Sequence, residues 1–294
     1  IIYIESNLYK YYLNNIYINN ILMGKNKAKI PKQPFVSICT PTFNRRPFIP
    51  IIIKCFENQT YPRDKMEWII VDDGTDKIED LVAHLPYVRY FKYDEKMTLG
   101  KKRNISNEKA KGDIIVYMDD DDYYPADRVK HAVESLQNSK ALCAGSSAMF
   151  IYFKHIDKMY QFGPYGPNHA TAATFAFKKE LLQKTKFNEK SSVAEERTFL
   201  KDYTIPFVQL DSKKTILVFS HNHNSFDKKE LLKQMPNPTI HETPLLPKDL
   251  VSEPEILKFF MEDINKLLEN YEPGRPDHKP DVTKQIAELK IERE

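Results

Sequence analysis

From Phe35 to about Asn138, short apolar runs alternate with helical stretches, and this alternation restricts the fold more than any other feature. FVSICT, EWIIVDDGT, VRYFKY and IIVYM read as strands, the second and fourth of them buried. PFIPIIIKCFENQ, LGKKRNISNEKAKG and the stretch from Pro125 to Asn138 read as helices. Pro47 suits a first helical turn, and Gly112 suits the end of the second helix. Such succession implies an α/β domain with a mostly parallel sheet and helices on both faces.

The second half is less regular. ALCAGSSAMFIYFKHIDKMYQF suggests strands that form a hairpin, and TAATFAF followed by KKELLQK a strand and a helix. VAEERTFLKDY suggests a further helix, and PFVQL with TILVF a closing hairpin. EPEILKFFMEDINKLLENY has apolar residues at helical spacing. DHKPDVTKQIAELKIERE is charged and reads as a mobile or loosely docked tail. The boundaries that follow are an N-terminal helical arm over 1–33, a central domain over 34–243 and a C-terminal helical extension and tail over 244–294. The central domain divides into halves at 35–135 and 136–243.

The chain's 44 basic and 41 acidic residues leave a formal charge of +3. That near balance gives no reason to expect a nucleic-acid partner. Cys39, Cys55 and Cys143 are too few and too far apart for a disulfide framework or a zinc site. They read as small buried hydrophobes of an intracellular, cytoplasmic protein; a virus-encoded or endomembrane-associated origin stays open. No stretch of about 18 apolar residues exists, so no transmembrane helix is expected. The first residue is Ile1, so the natural start is expected to be missing.

Ligands of a parallel α/β sheet gather at the carboxyl ends of its strands. Three polar clusters fall at such ends: Thr40 to Arg46, Asp72 to Thr75, and Asp119 to Asp122. Four adjacent carboxylates after an apolar strand repel one another unless a cation offsets them. A divalent ion with hard oxygen ligands, Mn²⁺ or Mg²⁺, does so and bridges phosphates. One of the four, Asp122, is expected to cap the helix that follows. Asp72-Asp73-Gly74-Thr75 is either a turn or a pocket wall whose carboxylate accepts a nucleobase N–H. Gly100 to Asn104, with Lys101 and Arg103, offers cations and backbone N–H groups to phosphate, or is a solvated helix face.

The order PTFNRR, IIVDDGT, GKKRN and YMDDDDYYPADRV resembles the donor half of family 2 glycosyltransferases with the GT-A fold, a Rossmann-like mostly parallel sheet flanked by helices. The resemblance covers roughly residues 35 to 135. It implies that the first-strand loop and the second Asp of the acidic turn, Pro41, Phe43 and Asp73, hold the nucleobase, with Arg103 on uridine or its phosphates; Thr42, Asn44, Arg45, Asp72 and Lys101 are further donor-binding candidates. It places Asp119 near the ribose and Asp121 on the metal; one step of register brings in Asp120 and Asp122, and Asp119 is a second candidate ligand. Phe43 stands where the family often has Tyr, so stacking survives without a hydroxyl. Ala194-Glu195-Glu196-Arg197 matches the family's acidic pair, with Glu196 preferred as base over Glu195 and Glu in place of the usual Asp. In SHNHNSF, His221 and His223 are candidates to complete the metal site. His169 and Thr171 lie where family members meet the acceptor.

The implied reaction moves a sugar from a nucleotide sugar, UDP-linked by preference, to a hydroxyl of a glycan or protein, with inversion. Oligomeric state is not readable. A nucleotidyltransferase would show a glycine-rich phosphate loop near the first strand; PTFNRR has none, and the chain has only 8 glycines. A non-catalytic sugar- or nucleotide-binding module of the same fold would show a broken aspartate run.

Overall fold

The computed structural model describes residues 33–292. The helical arm expected over 1–33 therefore lies almost wholly outside the described residues. Eleven strands are described: β1 Val36–Thr42, β2 Met66–Asp72, β3 Val88–Lys92, β4 Ile114–Tyr117, β5 Cys143–Gly145, β6 Met149–Phe153, β7 Lys158–Phe162, β8 Ala176–Lys178, β9 Phe207–Gln209, β10 Leu217–Ser220 and β11 Ile240–Thr243. Seven form one sheet in the order β3-β2-β1-β4-β8-β5-β9, parallel except for β8. The other four form a smaller sheet, β10-β6-β7-β11.

The central strands are apolar because both their faces are covered. Every residue of β1, β2 and β4 is buried. Alternate side chains enter opposite cores, as the two-residue period of a strand requires. Ile38, Ile70 and Val116 face a core with Phe48, Phe56 and Trp68. Cys39, Ile69 and Tyr117 face another with Phe187 and Phe199. All three cysteines are buried and free.

The helices Ile49–Glu57, Leu99–Lys109 and Arg128–Gln137 follow their strands as the sequence implies. The chain runs from β1 outward through β2 to β3, then returns to the other side of β1 as β4. That reversal opens a crevice at the carboxyl ends of β1 and β4, where an open α/β sheet binds its ligands.

Several expectations need correction. PFVQL and TILVF do not pair: β9 joins β5 in the large sheet and β10 joins β6 in the small one. Tyr123, directly after the aspartate run, bridges to Leu217 of β10 and ties the crevice to the second sheet. The helical segment after Pro254 is interrupted by a π-helical turn, Phe259–Asp263. The charged tail is a docked helix, Pro280–Ile291. Val282, Ile286 and Leu289, spaced four and three apart, turn one apolar stripe inward.

Gly112 does not close its helix, which ends at Lys109. It lets the chain pass against β1: a Cβ there would lie 2.4 Å from the Ser37 backbone nitrogen and 2.7 Å from the Ile114 oxygen. Backbone cannot yield as a flexible side chain does, so Gly112→Ala should cost about 2 kcal/mol or more. The test is a fall in the urea unfolding midpoint, with an unchanged midpoint as the contrary result.

A candidate active site at the sheet switch point

A cavity of about 650 Å³ opens at the crevice, within the range of small-molecule sites. The loop after β1 continues the strand's alternation. Pro41, Phe43 and Arg45 line the cavity, while Thr42 and Asn44 point behind it. Asn44 adopts φ 53°, a left-handed conformation that Asn tolerates. Its side-chain oxygen accepts from the Asp76 N–H at 2.9 Å, and its amide donates to the Pro273 carbonyl at 2.8 Å. Asn44 thus holds three pieces of wall together rather than facing a ligand.

The acidic motifs are matched by internal cations. Asp73 accepts from the Lys102 ammonium at 2.8 Å and from the Met97 backbone N–H, and lies behind the wall. Asp72 is spent on the turn: it accepts from the Gly74 N–H at 2.8 Å, the Ile78 N–H at 3.2 Å and the Tyr90 hydroxyl at 2.6 Å. Lys101 is exposed and outside the cavity, so the inward lysine of the helix is Lys102. Arg103, 1% exposed, donates to both oxygens of Asp119 at 3.2 and 3.3 Å and to Glu195 at 2.8 Å. Its guanidinium also sits 4.5 Å from the centre of the Tyr117 ring. Both Asp119 oxygens are engaged by Arg103.

Arg45 answers the rest of the aspartate run. Its guanidinium lies 3.6 Å from Asp120 and 3.3 Å from Asp121 and is held from behind by the carbonyls of His223 and Gly274 at 2.9 and 3.2 Å. Arg45 alone does not balance the run, of which Asp120 and Asp122 are buried and Asp121 is partly buried. Burial and the Asp121 charge push the Asp120 carboxyl up to about 7, and raise Asp122 well above its ordinary range. Burial acts against Asp121 too, but Arg45 and His221 outweigh it and keep that carboxyl well below the usual value. Asp122 does not cap a helix: the next helix begins at Arg128 after Asp127, and Asp122 Oδ1 is buried without a hydrogen-bond partner.

A divalent ion fits this donor set. Asp121 Oδ2 and His221 Nε2 are 3.4 Å apart. Adjacent ligands of an octahedral ion with 2.1 Å bonds are separated by about 3 Å. Burial lowers His221 to about 4, so its imidazole is neutral. Its Nδ1 accepts from the His223 N–H at 3.2 Å and its Nε2 lies 2.8 Å from the Asn224 side-chain nitrogen, so an ion at Nε2 would require the other tautomer. Among the described residues no three His, Cys, Asp or Glu side chains form a ready cage. His223 is not part of this set: it lines a separate cavity with Arg275 and Asp277.

Glu196 enters the same cavity from the other side. Ala194, at φ 52°, bends the chain into the short helix Glu195–Phe199, a strained conformation of the kind found at functional sites. Glu195 is buried against Arg103; the half-buried Glu196 has no cation within ion-pair reach among the described residues. Burial first, then the neighbouring Glu195, raise the Glu196 carboxyl to about 7. Thr171 lines the cavity, but His169 does not; its ring lies between Tyr165 and Tyr203, 4.9 Å from each.

Sequence reasoning missed Lys96 and Lys279, and within the cluster Gly100 to Asn104 it singled out Lys101 where Lys102 is the lysine in the lining. The helix bearing Lys102 buries Gly100, Arg103, Asn104, Ser106 and Asn107 and has no apolar stripe to mark its inner face. For Lys279 the signal was present in the stripe Val282, Ile286, Leu289, which the surrounding charges outweighed.

A mostly parallel sheet with an acidic turn at its switch point is the architecture of GT-A glycosyltransferases. The family model of Glycosyl transferase family 2 matches residues 37–200, and the chain belongs to that family. Among curated proteins it is similar to the poly(ribitol-phosphate) beta-N-acetylglucosaminyltransferase TarS of Staphylococcus aureus, 28% identical over 109 residues, 33% of this chain and 18% of that protein. An uncharacterized glycosyltransferase of Haemophilus influenzae is 30% identical over 122 residues, 40% of this chain and 48% of the other. The chain thus spans less than half the length of these relatives. Among solved structures, the mannosyltransferase PcManGT of Pyrobaculum calidifontis, in complex with GDP-Man and Mn²⁺, superimposes with a TM-score of 0.54 at 17% identity, over 89% of this chain and 76% of that one. TarS of S. aureus gives 0.51 at 19% identity, over 63% and 36%. These two likenesses concern the fold.

Removing Arg103 would leave Glu195 buried and unpaired. Arg103→Met should destabilise the domain by about 3–5 kcal/mol. Adding Glu195→Gln to it should recover part of the loss. Urea unfolding of the single and double variants reads both effects; equal midpoints for wild type and Arg103→Met would contradict them.

Proposed function

We propose that the chain is a metal-dependent glycosyltransferase that moves a sugar from a nucleoside diphosphate sugar, UDP-linked by preference, to a hydroxyl of a glycan or protein. The observation that carries this reading is one cavity faced by the aspartate run on one side and by Glu196, a carboxyl titrating near 7, on the other. In this reading Phe43 gives the nucleobase an apolar wall, and Arg103, itself fixed by Asp119, faces the donor with Lys102. The Mn²⁺ named with the similar mannosyltransferase is in keeping with an ion here.

Asp121 and His221 would hold Mn²⁺ or Mg²⁺, with Asp120 or Asp122 next to them. Bound there, the ion would neutralise charge on the departing diphosphate. Arg103 and Lys102 offer fixed charge for the same purpose. Glu196 takes the proton of the acceptor hydroxyl as that oxygen attacks the anomeric carbon; the glycosidic C–O bond forms and the bond to diphosphate breaks. One displacement inverts the configuration. The neighbouring Glu195 cannot share this task while Arg103 holds it. Thr171 is proposed for the acceptor side of the cavity; His169 would act only indirectly.

The test is release of nucleoside diphosphate from a nucleotide sugar in the presence of Mn²⁺. Asp121→Ala should abolish it. Glu196→Gln should lower kcat by about 10²–10⁴-fold with the donor KM little changed. Because the Glu196 carboxyl is raised, it is protonated and unable to accept a proton below that value, so wild-type kcat should rise with pH through about 7. Full activity in Asp121→Ala would overturn the metal assignment, and an unchanged rate and pH profile in Glu196→Gln the base.

A further inference from the structure

We propose that the C-terminal segment completes the donor site, with the Lys279 ammonium binding the diphosphate of the nucleotide sugar. This rests on the donor reading above and extends it to a residue well outside the family-matched stretch 37–200.

Lys279 precedes the helix Pro280–Ile291, lines the cavity and is 6% exposed. Lysine is seldom buried so far without a partner anion. Two other lysines of the lining have theirs: Lys102 pairs with Asp73 at 2.8 Å and Lys96 with Asp281. Lys279 has no carboxylate within ion-pair reach among the described residues. Its one side-chain hydrogen bond goes to the Ser225 hydroxyl at 2.8 Å. Burial and the Arg45 charge hold Lys279 well below its ordinary range, and a bound anion would favour its charged form, whose three N–H donors leave two for the ligand.

The three lysines surround one aromatic ring. Their nitrogens lie 5.3 Å (Lys96), 5.8 Å (Lys102) and 6.0 Å (Lys279) from the centre of Phe43. Lys102 and Lys96 are matched by Asp73 and Asp281, so Lys279 is the one of the three with no carboxylate partner among the described residues, and a diphosphate following a nucleobase on Phe43 would bring it matching charge and acceptor oxygens. The placement is built rather than incidental. Asp281, two residues on, holds Lys96 and accepts from the Ser192 hydroxyl. Gln285 accepts from the Ser192 backbone N–H at 2.8 Å and donates to the Lys190 carbonyl at 2.7 Å. Those contacts fasten the helix to the loop that leads into Glu195 and Glu196. A bound diphosphate would thus link the C-terminal helix to both sides of the cavity.

Isothermal titration of UDP, GDP, uridine and guanosine into the full chain with Mn²⁺ tests this. Wild type should bind at least one diphosphate. Lys279→Met should weaken that diphosphate roughly tenfold or more and leave the matching nucleoside within about twofold, while Lys279→Arg recovers most of the loss. Lys279→Gln, which can keep the bond to Ser225 without the charge, should show the same selective loss; it decides the matter if the Met variant does not fold. Equal weakening of nucleoside and diphosphate would mean a structural lysine and overturn the proposal, as would wild-type affinity for the diphosphate in Lys279→Gln. If wild type itself binds neither UDP nor GDP, the donor reading falls first and this inference with it.

Discussion

The site depends on one buried guanidinium. Arg103 joins the helix Leu99–Lys109 to the end of β4 through Asp119 and to the start of the helix Glu195–Phe199 through Glu195. Burial of a charge that large is unfavourable unless it is fully answered, and here two carboxylates and the Tyr117 ring answer it. Asp119 is thereby fixed at the head of the aspartate run. Glu195 is fixed as well, while its neighbour Glu196 lines the cavity with no ion-pair partner among the described residues.

The same principle recurs around the crevice. Lys102 answers Asp73, and Arg45 answers Asp120 and Asp121, but the run keeps more carboxylate than Arg45 can match. Asp122 Oδ1 is left buried without a partner. The protein is thus locally complete on the side that sets geometry and incomplete on the side that faces a ligand. That imbalance marks where an added cation and a phosphate-bearing donor would be stabilised.

Much of the donor half could be read directly from the chain. Central strands of a parallel sheet must be apolar throughout, so FVSICT, EWIIVDDGT and IIVYM announced themselves, and topology carried their polar ends to one edge. What resisted reading was orientation within polar segments. Lys101 and Lys102 differ only in which way a polar helix faces, and that is decided by Asp73, a residue distant in sequence. Asp122 resembles a cap until Tyr123 is seen pairing with β10. The hairpin expected of PFVQL and TILVF failed because strand signals say nothing of which sheet a strand joins. The C-terminal helix was hidden by its charges, although its apolar stripe was present.

The central claim is that this crevice holds a nucleotide sugar together with a divalent ion. It is tested most directly by the melting temperature of the full chain against UDP-, GDP- and TDP-sugars, with and without Mn²⁺. The account predicts that one donor class raises the melting temperature, that Mn²⁺ enlarges the rise, and that Asp121→Ala removes the Mn²⁺-dependent part. No shift with any nucleotide sugar would contradict it.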